Sequence, residues 1–78
     1  MPRWYVCTMD DGVISGHETK REAVEQVRRS TYGPIRPHRI RTGEYEYICL
    51  CDSENCREIY VMTTDGARRN GWEPDDTR

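Results

Sequence analysis

The sequence predicts a small α+β domain in which an antiparallel sheet carries one helix on one face, in the order β-β-α-β-β. Three observations predict this fold. Two β-prone runs flank an Asp-Gly dipeptide at 11–12, a capping box begins a helical segment at Thr19, and two alternating runs flank the tetrapeptide at 52–55. Strands grouped around a single helix are typical of a sheet with one covered face. We expect a single domain over residues 1–64 and a flexible polar tail over 65–78.

The first hairpin and the helix have clear local signals. Residues 3–9, RWYVCTM, form an aromatic and β-branched run, and the Asp-Gly dipeptide after it is a strong hairpin signal. Thr19 and Glu22 have capping-box spacing, in which each side chain bonds the other residue's backbone amide. The helix should end near Thr31, because Pro34 cannot continue it. Its apolar stripe is narrow and consists of Ala23, Val24 and Val27.

The second hairpin sets the faces of the sheet. Residues 34–37 are expected to be an extended linker, and strand patterns begin at Ile40, with alternating runs over 44–51 and 56–62. A four-residue loop over 52–55 pairs Cys51 with Cys56, Tyr47 with Tyr60, and Tyr45 with Met62. Because side chains alternate, Tyr45, Tyr47, Glu58, Tyr60 and Met62 then share one face with Cys49, Cys51 and Cys56. The helix is expected on the opposite, aliphatic face, which carries Ile48, Leu50, Ile59 and Val61.

The tyrosine face is the predicted partner-binding surface. Tyrosine and methionine are enriched in protein interfaces, so we expect this face to bind a protein partner. In a competing interpretation, the chain's own Trp4, Tyr5 or Trp72 covers the face as a second small core. Glutamates around the face would repel phosphate, which disfavours nucleic acid there. Pairing of two copies of the chain is a further alternative.

Three cysteines in the stretch CLCDSENC raise the question of a zinc site. Zinc takes four ligands, commonly two close C-x-x-C pairs, but this chain has C-x-C-x-x-x-x-C and no second pair. Cys49, Cys51 and Cys56 would need a fourth ligand, for which Cys7, His17 and His38 are the candidates. Free thiols are the favoured interpretation, with zinc second and a Cys51–Cys56 disulfide third. No other cofactor is expected.

A basic stretch is the alternative binding surface. Residues 20–41 carry seven basic and two acidic side chains, a net charge of +5, so the rest of this chain of net charge −2 carries −7. The candidate nucleic-acid-binding residues are Arg28, Arg29, Arg36, His38, Arg39 and Arg41. Arginines in such a run contact phosphate or acidic protein surfaces. The competing interpretation is a solvated loop, because runs of charged residues are usually exposed to solvent without binding a partner.

Catalytic motifs are missing from the sequence. It has no phosphate-binding glycine loop, no G-x-S-x-G and no paired histidines at metalloprotease spacing, so we expect no enzyme activity. The leading hypothesis is a small binding protein that occupies a surface of a larger macromolecule, such as a phage-encoded inhibitor of anti-CRISPR or anti-restriction type. The alternative is a nucleic-acid-binding module, with zinc as its stabilising ion. Without signal-peptide or membrane-span patterns, we expect a cytoplasmic protein.

Overall fold

A computed structural model describes residues 3–31, 33–50 and 58–72 and shows a five-stranded antiparallel sheet with two helices. The elements are β1 (Trp4–Thr8), β2 (Gly12–His17), α1 (Lys20–Ser30), β3 (Ile35–Arg41), β4 (Glu44–Cys49), β5 (Ile59–Thr63) and α2 (Thr64–Arg69). The strand order is β2-β1-β5-β4-β3. The predicted α+β class is therefore confirmed, with a fifth strand and a second helix added. None of the helices described is long and apolar enough to cross a membrane.

The first hairpin and α1 form as their local signals predict. Gly12 has a φ of 71°, a left-handed conformation that suits glycine at the turn between β1 and β2. The Thr19 hydroxyl accepts a hydrogen bond from the Glu22 amide at 3.2 Å, and Glu22 Oε1 accepts one from the Thr19 amide at 3.3 Å. The capping box is thus complete, and α1 ends at Ser30 with Thr31 as its C-cap.

The predicted register between β4 and β5 is wrong by one residue. Tyr45 pairs with Val61 and Tyr47 with Ile59, where the four-residue loop predicted Met62 and Tyr60. A shift of one residue moves one strand's side chains to the other face. The two tyrosines of β4 therefore share a face with aliphatic residues of β5. The predicted loop and the Cys51–Cys56 pair lie outside the described residues.

The helix face is the side of the sheet that α1 covers. Helix α1 packs against β1, β2 and β5. The hydrophobic core between α1 and the sheet consists of Val6, Ala23, Val27, Tyr47, Ile59 and Val61. Trp4, Val24, Ile35 and Tyr45 pack at the margin of this core. Ile59 and Val61 lie under the helix as predicted. Ile48 belongs to the opposite face, and Leu50 is 51% exposed. The prediction that these two residues lie under the helix is therefore wrong.

The second face, opposite α1, is partly covered by α2 and by Trp72. The Trp72 ring centroid lies 6.2 Å from that of Tyr60, and the Asn70 amide nitrogen donates to the Met62 sulfur at 3.5 Å. Tyr60 and Met62 are therefore covered by the chain's own C-terminal segment, as the competing interpretation proposed. Helix α2 also corrects the predicted tail, since its residues 64–69 are helical and Ala67 is fully buried.

Strand β3 replaces most of the predicted linker. Residues 35–37 already belong to the strand, which is the last in the sheet and, among the residues described, pairs only with β4. Six of its seven residues are exposed. The strand therefore lacks the alternation of apolar and polar residues by which a strand is recognised in a sequence. An edge strand tolerates Pro37 where its nitrogen points away from the neighbouring strand.

Candidate nucleic-acid interface

The predicted partner-binding residues do not form one surface. Tyr45 and Tyr47 lie on the helix face, while Tyr60 and Met62 lie on the second face. Tyr47 and Met62 are buried, with exposed fractions of 4% and 2%. Glu58, just before β5, is exposed. The residues predicted to make a continuous tyrosine platform are thus divided between two sides of the sheet, and two of the five are buried.

The basic residues, in contrast, come together at one edge of the sheet. Four of them are exposed members of β3: Arg36, His38, Arg39 and Arg41. Arg28 and Arg29 lie in the last turn of α1, and Arg28 lines a hollow of about 290 Å³ together with Gly33, Pro34 and Ile35. The end of the helix therefore adjoins the start of the strand. We call these six residues the basic edge.

Pro37 disfavours the addition of another strand at this edge. The Leu50 amide donates to the Pro34 carbonyl at 2.8 Å, so positions 34, 36 and 38 direct their backbone groups toward β4. Positions 35, 37 and 39 direct theirs outward, and the middle one is proline, which has no N–H. Without a backbone N–H at the central outward position, this edge pairs poorly with a strand of another chain. Contacts at the basic edge must therefore be made chiefly by side chains.

The helix face beside β3 carries an aromatic surface with cations around it. Arg39 pairs with Tyr45, and Pro37 pairs with Tyr47, so all four side chains lie on the side of the sheet where α1 packs. Across from β3, the ammonium group of Lys20 lies over the Tyr45 ring, and Arg28 follows in the last turn of α1, where it lines a hollow with Ile35. We call this region, formed by Lys20, Arg28, Pro37, Arg39, Tyr45 and Tyr47, the aromatic shelf.

Lys20, the chain's single lysine, sits on the Tyr45 ring. Its Nζ lies 3.4 Å from the ring centroid, and Trp4 packs against the same tyrosine with a centroid separation of 6.5 Å. A cation–π contact at a partly exposed site contributes only about 0.5–1 kcal/mol. Stacking of a nucleic-acid base on an aromatic side chain contributes about 1–3 kcal/mol. A base can therefore displace the ammonium group from the ring.

Tyr47 forms the buried floor of the shelf. Burial raises the pKa of the Tyr47 hydroxyl, and the neighbouring Tyr45 adds to this, while Arg28 acts in the opposite direction. The tyrosine hydroxyl stays protonated at neutral pH and can donate a hydrogen bond.

The second face carries acidic side chains near its centre. Partial burial raises the pKa of Glu46, and repulsion from Glu58 raises it further, while the adjacent His38 lowers it. The Tyr60 hydroxyl donates to Glu58 Oε2 at 3.4 Å. Burial and these two carboxylates also raise the pKa of Tyr60. Two carboxylates this close repel a phosphate, so the part of the second face around Glu46 and Glu58 is a poor surface for nucleic acid. Arg36, His38 and Arg41 lie on the same face, along its β3 edge.

The cysteines do not form the predicted four-ligand site. Cys7 pairs with Tyr60 and lies on the second face, whereas Cys49 follows the tyrosines of β4 on the helix face. Two residues on opposite faces cannot bind one ion, so a site with both Cys7 and Cys49 is wrong. Cys51 and Cys56 lie outside the described residues. Within residues 3–31, 33–50 and 58–72, no cluster of three histidine, cysteine or carboxylate side chains could hold a metal.

Sequence reasoning identified the basic edge but missed Lys20. The available signal was helical spacing: Lys20, Val24 and Arg28 are four residues apart and lie along one side of a helix. Their position toward β4 could not be seen without the sheet register. In comparisons with known protein families, with characterised proteins and with solved structures, no match to this chain was found.

Proposed function

We propose that this protein is a non-enzymatic binding module that contacts the backbone of a nucleic acid through the basic edge. One observation carries the proposal: four exposed basic side chains lie along the last strand of the described sheet, whose central outward position is Pro37, a residue without an amide hydrogen. Such an edge favours contacts through side chains over strand addition. Arginine is well suited to this role, because its planar fork can donate two hydrogen bonds to one phosphate.

The division of charge over the molecule supports the proposal. The basic edge and the aromatic shelf share Arg28 and Arg39, whereas the carboxylates of Glu46 and Glu58 lie on the second face. Arg39 lies on the helix face, and Arg36, His38 and Arg41 lie on the second face, so positive charge lines both sides of this sheet edge. A polyanion is thus attracted to the edge and repelled from the carboxylates of Glu46 and Glu58. Because the charge is distributed unevenly, a net charge of −2 does not argue against this function.

The test compares two triple variants with the same change in net charge. Arg36→Gln, Arg39→Gln and Arg41→Gln remove three charges from the basic edge. The control, Arg3→Gln, Arg21→Gln and Arg68→Gln, removes three from elsewhere. We expect the first variant to lose at least tenfold in affinity for a labelled oligonucleotide at low salt and the control to lose much less. Equal losses, or no binding by the unaltered protein, would contradict the proposal.

A protein partner is a second candidate, favoured by an apolar patch on the second face. Met9 is 75% exposed and Ile40 is 44% exposed, and both line a hollow of about 240 Å³ with Trp72. Exposed methionine beside tryptophan is typical of protein interfaces. In this version the protein occupies a surface of a larger protein, as an inhibitor of a host system would. Met9→Ser together with Ile40→Ser should then abolish capture of that protein without altering binding to oligonucleotides.

A further inference from the structure

We propose that the nucleic acid is single-stranded and that one of its bases stacks on Tyr45, on the aromatic shelf. This inference rests on the proposed function and adds the class of nucleic acid to it. The observation behind it is that the cations nearest the helix face surround an aromatic ring. Lys20 lies over Tyr45, Arg39 pairs with it across the strands, and Arg28 lines a hollow beside β3 with Ile35.

The arrangement of charge around the ring fits a single strand. Lys20 and Arg28 are eight residues apart on α1, which places them about 12 Å apart along the helix axis. Arg39 lies on the other side of the ring, on β3. A strand that runs between α1 and β3 meets cations on both sides and an aromatic ring beneath it. Proteins that bind single strands combine a basic groove with aromatic stacking in this way.

A duplex does not fit the same surface. Its bases are stacked inside the helix, so their flat faces cannot reach Tyr45. A two-stranded β-ribbon can enter the major groove of DNA. The β3–β4 hairpin is not such a ribbon, because β4 is also paired with β5 inside the sheet. A duplex could contact the basic edge through its phosphates, but it would leave the aromatic shelf uncovered.

Lys20 has two roles in this account. In the unbound protein its ammonium group covers the Tyr45 ring at 3.4 Å. A base that stacks on the ring takes that place, and the displaced ammonium group can then reach a phosphate of the same strand. The lysine therefore shields the ring from water before binding and neutralises charge afterwards. The ring and the cation both contribute only when base and phosphate belong to one flexible strand.

The test measures the affinities of a dT20 strand, an rU20 strand and a 20-base-pair duplex at the same salt concentration. It uses the unaltered protein and two variants, Tyr45→Leu and Tyr45→Phe. Leucine keeps an apolar side chain at the margin of the core but removes stacking, whereas phenylalanine keeps the ring. We expect at least one single strand to bind tenfold more tightly than the duplex. Tyr45→Leu should lose roughly tenfold in that affinity, and Tyr45→Phe should bind like the unaltered protein.

The outcomes separate this inference from the proposed function. Duplex binding as tight as that of both single strands, or an unchanged affinity in Tyr45→Leu, overturns the single-strand inference and leaves the basic edge as a phosphate-binding surface. Absence of binding to all three probes overturns both proposals. Polyglutamate is a further control. If it competes with dT20 as well as unlabelled dT20 does, the shelf recognises charge alone and the stacking account is wrong.

Discussion

Nε of Arg69 lies 2.9 Å from Oε1 of Glu44, and this ion pair joins α2 to β4 on the second face. The Glu44 side chain is only 2% exposed, while that of Arg69 is 44% exposed. Arg69 also donates to the Thr42 carbonyl at 3.1 Å. A helix of six residues is too short to be stable by itself, so contacts of this kind hold α2 in place.

Replacing Arg69 should destabilise the protein. The variant Arg69→Met leaves the Glu44 carboxylate buried without this cation, and the expected loss in the free energy of unfolding is about 2 kcal/mol. Urea denaturation measures it. The double variant Arg69→Met with Glu44→Met removes both charges, so it should recover part of that loss. A single variant as stable as the unaltered protein would show that the ion pair does not stabilise α2.

Gly66 should resist replacement by alanine although it lies in a helix. An alanine normally improves a helix interior by about 1 kcal/mol relative to glycine. Here a Cβ would lie 3.0 Å from Glu44 Cγ and 3.1 Å from the Gly43 carbonyl oxygen, and the backbone oxygen cannot move away easily. We expect Gly66→Ala to reduce stability by about 1–2 kcal/mol in thermal or urea denaturation. A stabilised variant would mean that α2 packs less closely on β4 than described.

Cys7 should make the stability depend on alkaline pH. Burial raises the pKa of its thiol from 9.0 to about 12. Between these values the unfolded chain loses the proton while the folded chain keeps it, so stability is complete below pH 9 and falls as the pH rises. The expected loss between pH 8 and pH 10 is about 1 kcal/mol. Cys7→Ala should remove this part of the pH dependence; an equally steep decline in Cys7→Ala would refute the assignment.

Local signals predicted the first hairpin and α1, because their turn and cap residues act within a few positions of one another. The register of β4 with β5 could not be obtained in this way. It depends on the length of the connection between Cys49 and Ile59, and one residue there decides whether Tyr45 faces Val61 or Met62. The prediction of a single tyrosine face depended on a loop of four residues. With a register shifted by one residue, the tyrosines of β4 and β5 lie on opposite faces.

Strand β3 and helix α2 were missed for a different reason. Strand β3 has almost no buried residues, and its pairing with β4 is visible only in three dimensions. Helix α2 is short, contains Gly66 and owes its position to Glu44 and the second face. The basic residues were found because their charges are evident in the sequence. The sequence did not show that these basic residues lie on an edge strand, or that Pro37 removes an outward backbone donor from it.

The salt dependence of oligonucleotide binding tests the central claim most directly. The logarithm of the association constant should fall linearly with the logarithm of salt concentration, by about 0.7 per phosphate contact for a single strand. Replacing Arg36, Arg39 and Arg41 together with glutamine should therefore reduce the steepness of this slope by about 2. The account predicts that reduction, with the unaltered slope retained when Arg3, Arg21 and Arg68 are replaced instead. Identical slopes for the two variants would contradict binding at the basic edge.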